Sequence, residues 1–114
     1  MRVAAILYNA IAMKPQIEQK RGQLAELCRR YHVRRLALFG SALGEDFDSQ
    51  RSDLDFVVEF QPLPAGQYAS TYFRLLEALA ELFGRPVDLI EAGSVRNPYL
   101  QRAIEARQET LYAT

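Results

Sequence analysis

A chain of 114 residues, 49% of them apolar, is the size of one domain with one modest core and leaves no room for two. Its 14 basic and 14 acidic residues cancel, which removes any global electrostatic drive toward nucleic acid or an anionic membrane. The lone Cys28 excludes an internal disulfide and has no neighbours at zinc-site spacing, so a reducing cytoplasm is the expected compartment.

In chain order, the apolar run Val3 to Met13 is far shorter than the ~20 residues that span a bilayer, and no small-residue cleavage site follows it. Residues 1–14 read as an N-terminal extension or packing helix, and Met13 is an alternative candidate for the translation start. From Pro15 to Tyr31, Ile17, Leu24, Leu27, Cys28 and Tyr31 recur at helical spacing, and Pro15 suits a first turn. Arg29 and Arg30, with Arg34 and Arg35 beyond, form the densest basic cluster. Their place at a helix end reads as C-terminal stabilisation rather than a nucleic-acid patch, and His32 is expected to cap the same end.

Arg35 to Phe39 is a short apolar run closed by Gly40, which predicts a buried strand leaving through a Gly40-Ser41 turn. A polar loop without periodicity runs from Leu43 to Ser52. Asp53 to Phe60 is rich in β-branched and aromatic residues and predicts a second strand, ended by Pro62 and Pro64. From Gln67 to Phe83, the residues Tyr72, Leu75, Leu76, Leu79, Leu82 and Phe83 line one face of a long helix, stopped by Gly84 and Pro86. Val87 to Glu91 is a third strand, Asn97-Pro98 opens a last helix with Leu100, Ala103 and Ile104, and Glu109 to Tyr112 adds a short edge strand. The fold class is therefore α/β (α+β): one small mixed sheet with helices on one face and the other left for chemistry, in a single domain over residues 1–114.

Residues two apart in a strand project to the same side, so Asp53 and Asp55 share a face at about 6.6 Å between α-carbons. Two carboxylates so placed stay charged most readily with divalent cations between them, and magnesium prefers such oxygen donors while retaining water for exchange with phosphate. Asp88, near the start of an apolar strand, joins them if that strand lies alongside. Three carboxylates can hold two metals about 3.5–4 Å apart, the arrangement that serves in-line phosphoryl displacement, and Asp88 could also accept the nucleophile's proton. Glycine at position 40 lets a phosphate approach the backbone, and the following amides with the Ser41 hydroxyl can donate to it. Each piece alone has a plainer reading, as a turn-flanking acid pair, a simple turn or a surface acid; their order and context raise the odds.

Leu38-Phe39-Gly40-Ser41, followed by Ser52-Asp53-Leu54-Asp55-Phe56-Val57-Val58, resembles the signature of the DNA polymerase beta-like nucleotidyltransferase superfamily. Within it the likeness is to minimal nucleotidyltransferase (MNT) proteins, antitoxin partners of HEPN ribonuclease toxins, and it extends from about Arg34 to Tyr112 through Pro86-Val-Asp-Leu-Ile90 and Pro98-Tyr-Leu-Gln-Arg-Ala-Ile104. The resemblance implies a nucleotidyltransferase fold in which Asp53 and Asp55 bind two Mg2+ ions, Asp88 binds the catalytic one, and Gly40 with Ser41 holds the triphosphate of ATP. It also implies the activity: transfer of AMP to a tyrosine of a HEPN toxin, which silences its RNA cleavage. No membrane and no direct nucleic-acid partner is expected.

Two departures stand out. Residues 42–52 put eleven positions between Ser41 and Asp53 where the group commonly has ten, and Gly44 stands near where many relatives carry an arginine, with Arg51 of the same loop the candidate substitute. A loop absorbs one residue at small entropic cost. The competing readings are a binding module that occludes its partner without catalysis, and a nucleotidyltransferase acting on a small molecule or RNA; a receiver-like domain lacks its late lysine, since the lysines are Lys14 and Lys20. Tyr68, Tyr72 and Tyr99 are candidates to stack on adenine or meet a partner, although Tyr72 falls within the apolar stripe.

Overall fold

The computed structural model describes residues 16–39, 53–106 and 108–114. Residues 16–19 are helical and lead through a turn at Lys20 into α1 (Arg21–Arg30). There follow β1 (Val33–Phe39), β2 (Leu54–Phe60), α2 (Tyr68–Phe83), β3 (Val87–Glu91), a short 3-10 turn (Ala92–Ser94), α3 (Pro98–Ala106) and β4 (Gln108–Ala113). None of the described helices is long and apolar enough to cross a membrane.

The single helix expected from Pro15 to Tyr31 is interrupted at Lys20. The break precedes Gly22, a weak helix former, and frees Lys20 to donate from Nζ to the Leu82 carbonyl at the end of α2 while resting 5.7 Å from the Phe83 ring centroid. Arg29 and Arg30 occupy the last turn of α1, as expected of cations at a helix C-terminus. His32 closes that end through its backbone rather than its imidazole: its φ is +59°, and its N–H donates to Arg29 O at 3.4 Å. Its carbonyl then accepts from Gln61 N–H at 2.8 Å, so the turn is tied to the far end of β2.

The sheet order is β3-β2-β1-β4, with β1 antiparallel to both β2 and β4, and β2 parallel to β3. A parallel pair needs a crossover, and α2 supplies it. Gly84 ends α2 at φ +65°, where a side chain would meet its own backbone, and both Gly84 and Arg85 N–H groups reach Ala80 O.

Period-two alternation sends Leu36, Leu38, Leu54, Phe56, Val58 and Leu89 to the face covered by α1 and α2, where they pack with Leu24, Cys28, Leu75, Leu79 and Phe83. Phe56 meets Phe83 at 5.8 Å between ring centroids. Because β3 and β4 lie at opposite edges, the chain joining them must cross about three strand spacings, roughly 14 Å. It crosses on the other face, where Ile104 of α3 seals a second, smaller cluster with Ala37, Phe39 and Val57. The mixed sheet with helices packed on one face is thus observed for α1 and α2, and α3 covers part of the face expected to be open. Of the apolar positions expected in α3, only Ile104 is buried; Leu100 is exposed.

Leu79 is wholly buried in the main cluster, so Leu79→Ala should lower the unfolding free energy by about 3 kcal/mol, read from urea denaturation. Burial also pushes the Cys28 thiol up to about 12, with Arg29 opposing it weakly. A raised folded pKa gives stability that is complete below the unfolded thiol's value, about 8.5, and is lost as pH climbs toward 12. Between pH 9 and 11 the native protein should lose about 1.4 kcal/mol more per pH unit than Cys28→Ala, measured by urea midpoints at each pH.

Candidate active site

Strand β2 carries Asp55, Val57 and Glu59 on the face opposite α1 and α2, and Asp53 stands just ahead of its first residue. The parallel register places Leu54 beside Val87, Asp55 beside Asp88 and Phe56 beside Leu89. Asp55 and Asp88 are therefore direct neighbours on one face, with backbones about 4.8 Å apart, and Asp53 lies about 6.6 Å along from Asp55. On the other side of β2, Phe39 is the register partner of Asp55. Gly40 and Ser41 lie outside the described residues; they follow directly on Phe39 in the chain.

The three acids thus occupy one end of the sheet, where β1 finishes and β2 and β3 begin. Asp53 and Asp88 are exposed and Asp55 is half-buried, so hard oxygen donors meet solvent there. That donor set fits magnesium, which keeps several waters and takes one or two carboxylates together with substrate phosphate. Among the described residues no three His, Cys, Asp or Glu side chains close around a single ion position. Register aligns Asp55 with Asp88, and Asp53 must reach across one pleat.

Glu59 lies on the same face but belongs to a separate group. Arg35, its register partner on β1, approaches it at 3.7 Å and donates to Gln108 Oε1 at 3.0 Å and Thr110 Oγ1 at 3.1 Å, joining β2, β1 and β4. A half-exposed pair of this kind contributes about 1 kcal/mol at most. Its use is spatial: it neutralises Glu59 at the opposite end of the sheet from Asp55. A cleft of about 210 Å³ lies between this group and Ile104.

Beside β3, a cleft of about 510 Å³ is lined by Tyr68, Ala69, Tyr72, Phe73, Leu89, Ile90, Glu91 and Ser94. The Tyr72 hydroxyl donates to the Leu89 carbonyl, one residue beyond Asp88. Burial, then the charges of Asp88 and Glu91, push the Tyr72 phenol up, which keeps it a donor. Tyr68 is raised by burial and by Glu91. Of the three tyrosines singled out in the sequence, Tyr72 packs against the core as its stripe position implies, whereas Tyr68 and Tyr99 are exposed. The Tyr72 bond to β3 has no sequence signal, because it joins residues whose proximity depends on the crossover. A larger groove, about 630 Å³, lies between α1 and α2 on the far side of the sheet from the acids.

Comparison with known proteins gives the family and the fold. Residues 20–109 match the family described as nucleotidyltransferase domain. A Methanocaldococcus jannaschii chain provisionally named a protein adenylyltransferase is 37% identical over 79 residues, which cover 69% of this chain and 76% of its own. A solved structure provisionally described as a minimal nucleotidyltransferase superposes with a TM-score of 0.65 at 27% identity, covering 81% of this chain and 89% of the other. A chain of the solved complex of tri-AMPylated Shewanella oneidensis HEPN toxin with MNT antitoxin gives 0.60 at 20% identity, over 86% of this chain and 73% of that one, and so shares the fold.

Removing one of two adjacent like charges relieves repulsion. Asp88→Asn should therefore raise the melting temperature slightly in EDTA, and added magnesium should raise it less than it raises that of the native protein, both read by scanning calorimetry.

Proposed function

This chain belongs to the nucleotidyltransferase domain family, and from that premise we propose that it transfers AMP from ATP to a tyrosine of a cognate HEPN ribonuclease toxin, neutralising it as an antitoxin. The observation that carries the reading is the in-register pairing of Asp55 with Asp88, with Asp53 one pleat away, at the sheet end where β1 leads into Gly40-Ser41. Support for a protein as the acceptor comes from the adenylyltransferase name of the relative and from the fold shared with an antitoxin found beside an AMPylated toxin. A net charge of zero also argues against a nucleic-acid acceptor.

In this reading the tyrosine oxygen attacks the α-phosphorus of ATP and forms the new P–O bond. The bond from that phosphorus to the oxygen bridging to the β-phosphate breaks, and pyrophosphate leaves with the electron pair. The phenolic proton passes to a carboxylate, for which Asp88 is the nearest candidate on the acceptor side. Gly40 and Ser41 hold the triphosphate through backbone amides and a hydroxyl. Asp53, Asp55 and Asp88 would hold magnesium, which would supply positive charge against the triphosphate and the pyrophosphate leaving group. The chain's own contribution is chiefly placement, since phosphoryl chemistry needs in-line geometry and charge rather than a covalent protein intermediate.

Incubated with its HEPN partner, ATP and magnesium, the protein should add whole adenylyl groups to the toxin, seen by intact mass spectrometry. The Asp53→Ala, Asp55→Ala double variant should transfer about 10³-fold more slowly. A partner left unmodified at saturating ATP and magnesium overturns the enzymatic reading. Neutralisation of RNA cleavage that survives the double substitution points to occlusion instead.

A further inference from the structure

Among the described residues β3 is an edge strand, paired with β2 on one side only. In a parallel ladder, alternate residues turn both backbone groups to the same side. Leu54 N–H donates to Pro86 O at 3.1 Å, so Pro86, Asp88 and Ile90 direct their backbone groups toward β2. Val87, Leu89 and Glu91 direct theirs outward, where water is the default partner of an open edge. The Leu89 carbonyl has a protein partner instead, the Tyr72 hydroxyl from the second turn of α2. Tyr72 is itself fixed, half-buried against the main cluster and edge-on to Phe73 at 5.2 Å between centroids.

Asp88 is thus held from two sides. Its own backbone is laced to β2, and the peptide that follows its neighbour Leu89 is tethered to α2. We infer that Tyr72 is a positioning residue for Asp88: its hydroxyl pins the free edge of β3 and so sets where the Asp88 carboxylate stands relative to Asp55. The inference rests on the proposed nucleotidyl transfer, in which Asp88 is a metal ligand. A five-residue strand paired on one side frays easily, and a metal or phosphoryl site tolerates displacements of only about 0.5 Å. The outward bond supplies the restraint that a second neighbouring strand gives elsewhere in the sheet.

Tyr72→Phe keeps the ring and removes only the donor. Three readouts apply: Mn2+ binding in the presence of a non-hydrolysable ATP analogue, followed by electron paramagnetic resonance; kcat and KM for transfer to the HEPN partner; and amide exchange by NMR. The expected result is Mn2+ affinity and kcat each reduced about tenfold, KM for ATP within about twofold of native, and faster exchange at Ile90 than at core amides of β1. Tyr31→Phe, which removes a hydroxyl at the end of α1, should behave as native. Native Mn2+ affinity and kcat in Tyr72→Phe overturn the inference, as does an equal loss in Tyr31→Phe, or accelerated exchange throughout the sheet that marks a general loss of stability. A native protein that binds Mn2+ but transfers nothing to its partner removes the proposed function, yet the Mn2+ and exchange comparisons still decide whether Tyr72 positions Asp88.

Discussion

The parallel pairing of β2 with β3 is the constraint from which the chemistry follows. A slip of one residue would turn Asp88 toward α1 and α2, put Leu89 into solvent and break the alignment with Asp55. What prevents the slip is apolar. Leu54, Phe56 and Val58 on one strand and Leu89 on the other must all face the helices, and each is nearly or wholly inaccessible to water. Burial on one side of the sheet therefore sets the positions of charges on the other. The acids do not hold themselves together; the core holds them.

The connection between β3 and β4 adds a second constraint. Because it must cross the sheet from edge to edge, it takes α3 over the face that carries the acids, where Ile104 closes a small cluster over Ala37, Phe39 and Val57. The consequence is that this face is divided. The Arg35–Glu59 pair stands at one end, Ile104 of α3 packs across the middle as far as Phe39, and Asp53, Asp55 and Asp88 stand at the other end.

Much of this was legible before any coordinates. β3 occupies the five residues that its apolar run indicated, and α2 stops at Gly84, where only a residue tolerant of positive φ fits comfortably. Asp53 and Asp55 were legible as a pair because strand period alone puts them on one face. Their alignment with Asp88 was conditional on strand order, which local pattern does not encode and which here follows from the α2 crossover. The break at Lys20 was not legible, because a lone glycine such as Gly22 is tolerated inside a helix and the Lys20–Leu82 bond that uses the break joins residues 62 apart in the chain. Nor was the passage of α3 over the acidic face: Leu100 and Ala103 made a wider apolar stripe than the helix uses, and only topology decides which side it crosses. Gly40 and Ser41, read as the phosphate turn, fall outside the described residues.

The sealed thiol of α1 gives the molecule an internal clock. Cys28 is the sole cysteine, has no solvent exposure, and sits where the helix, β1 and α2 meet, so a thiol reagent reaches it only when that junction parts. The speed of its labelling counts openings of the scaffold on which the acids are mounted. A ligand bound at the distant sheet end would slow that count without touching the sulfur, which makes the core itself a reporter of occupancy.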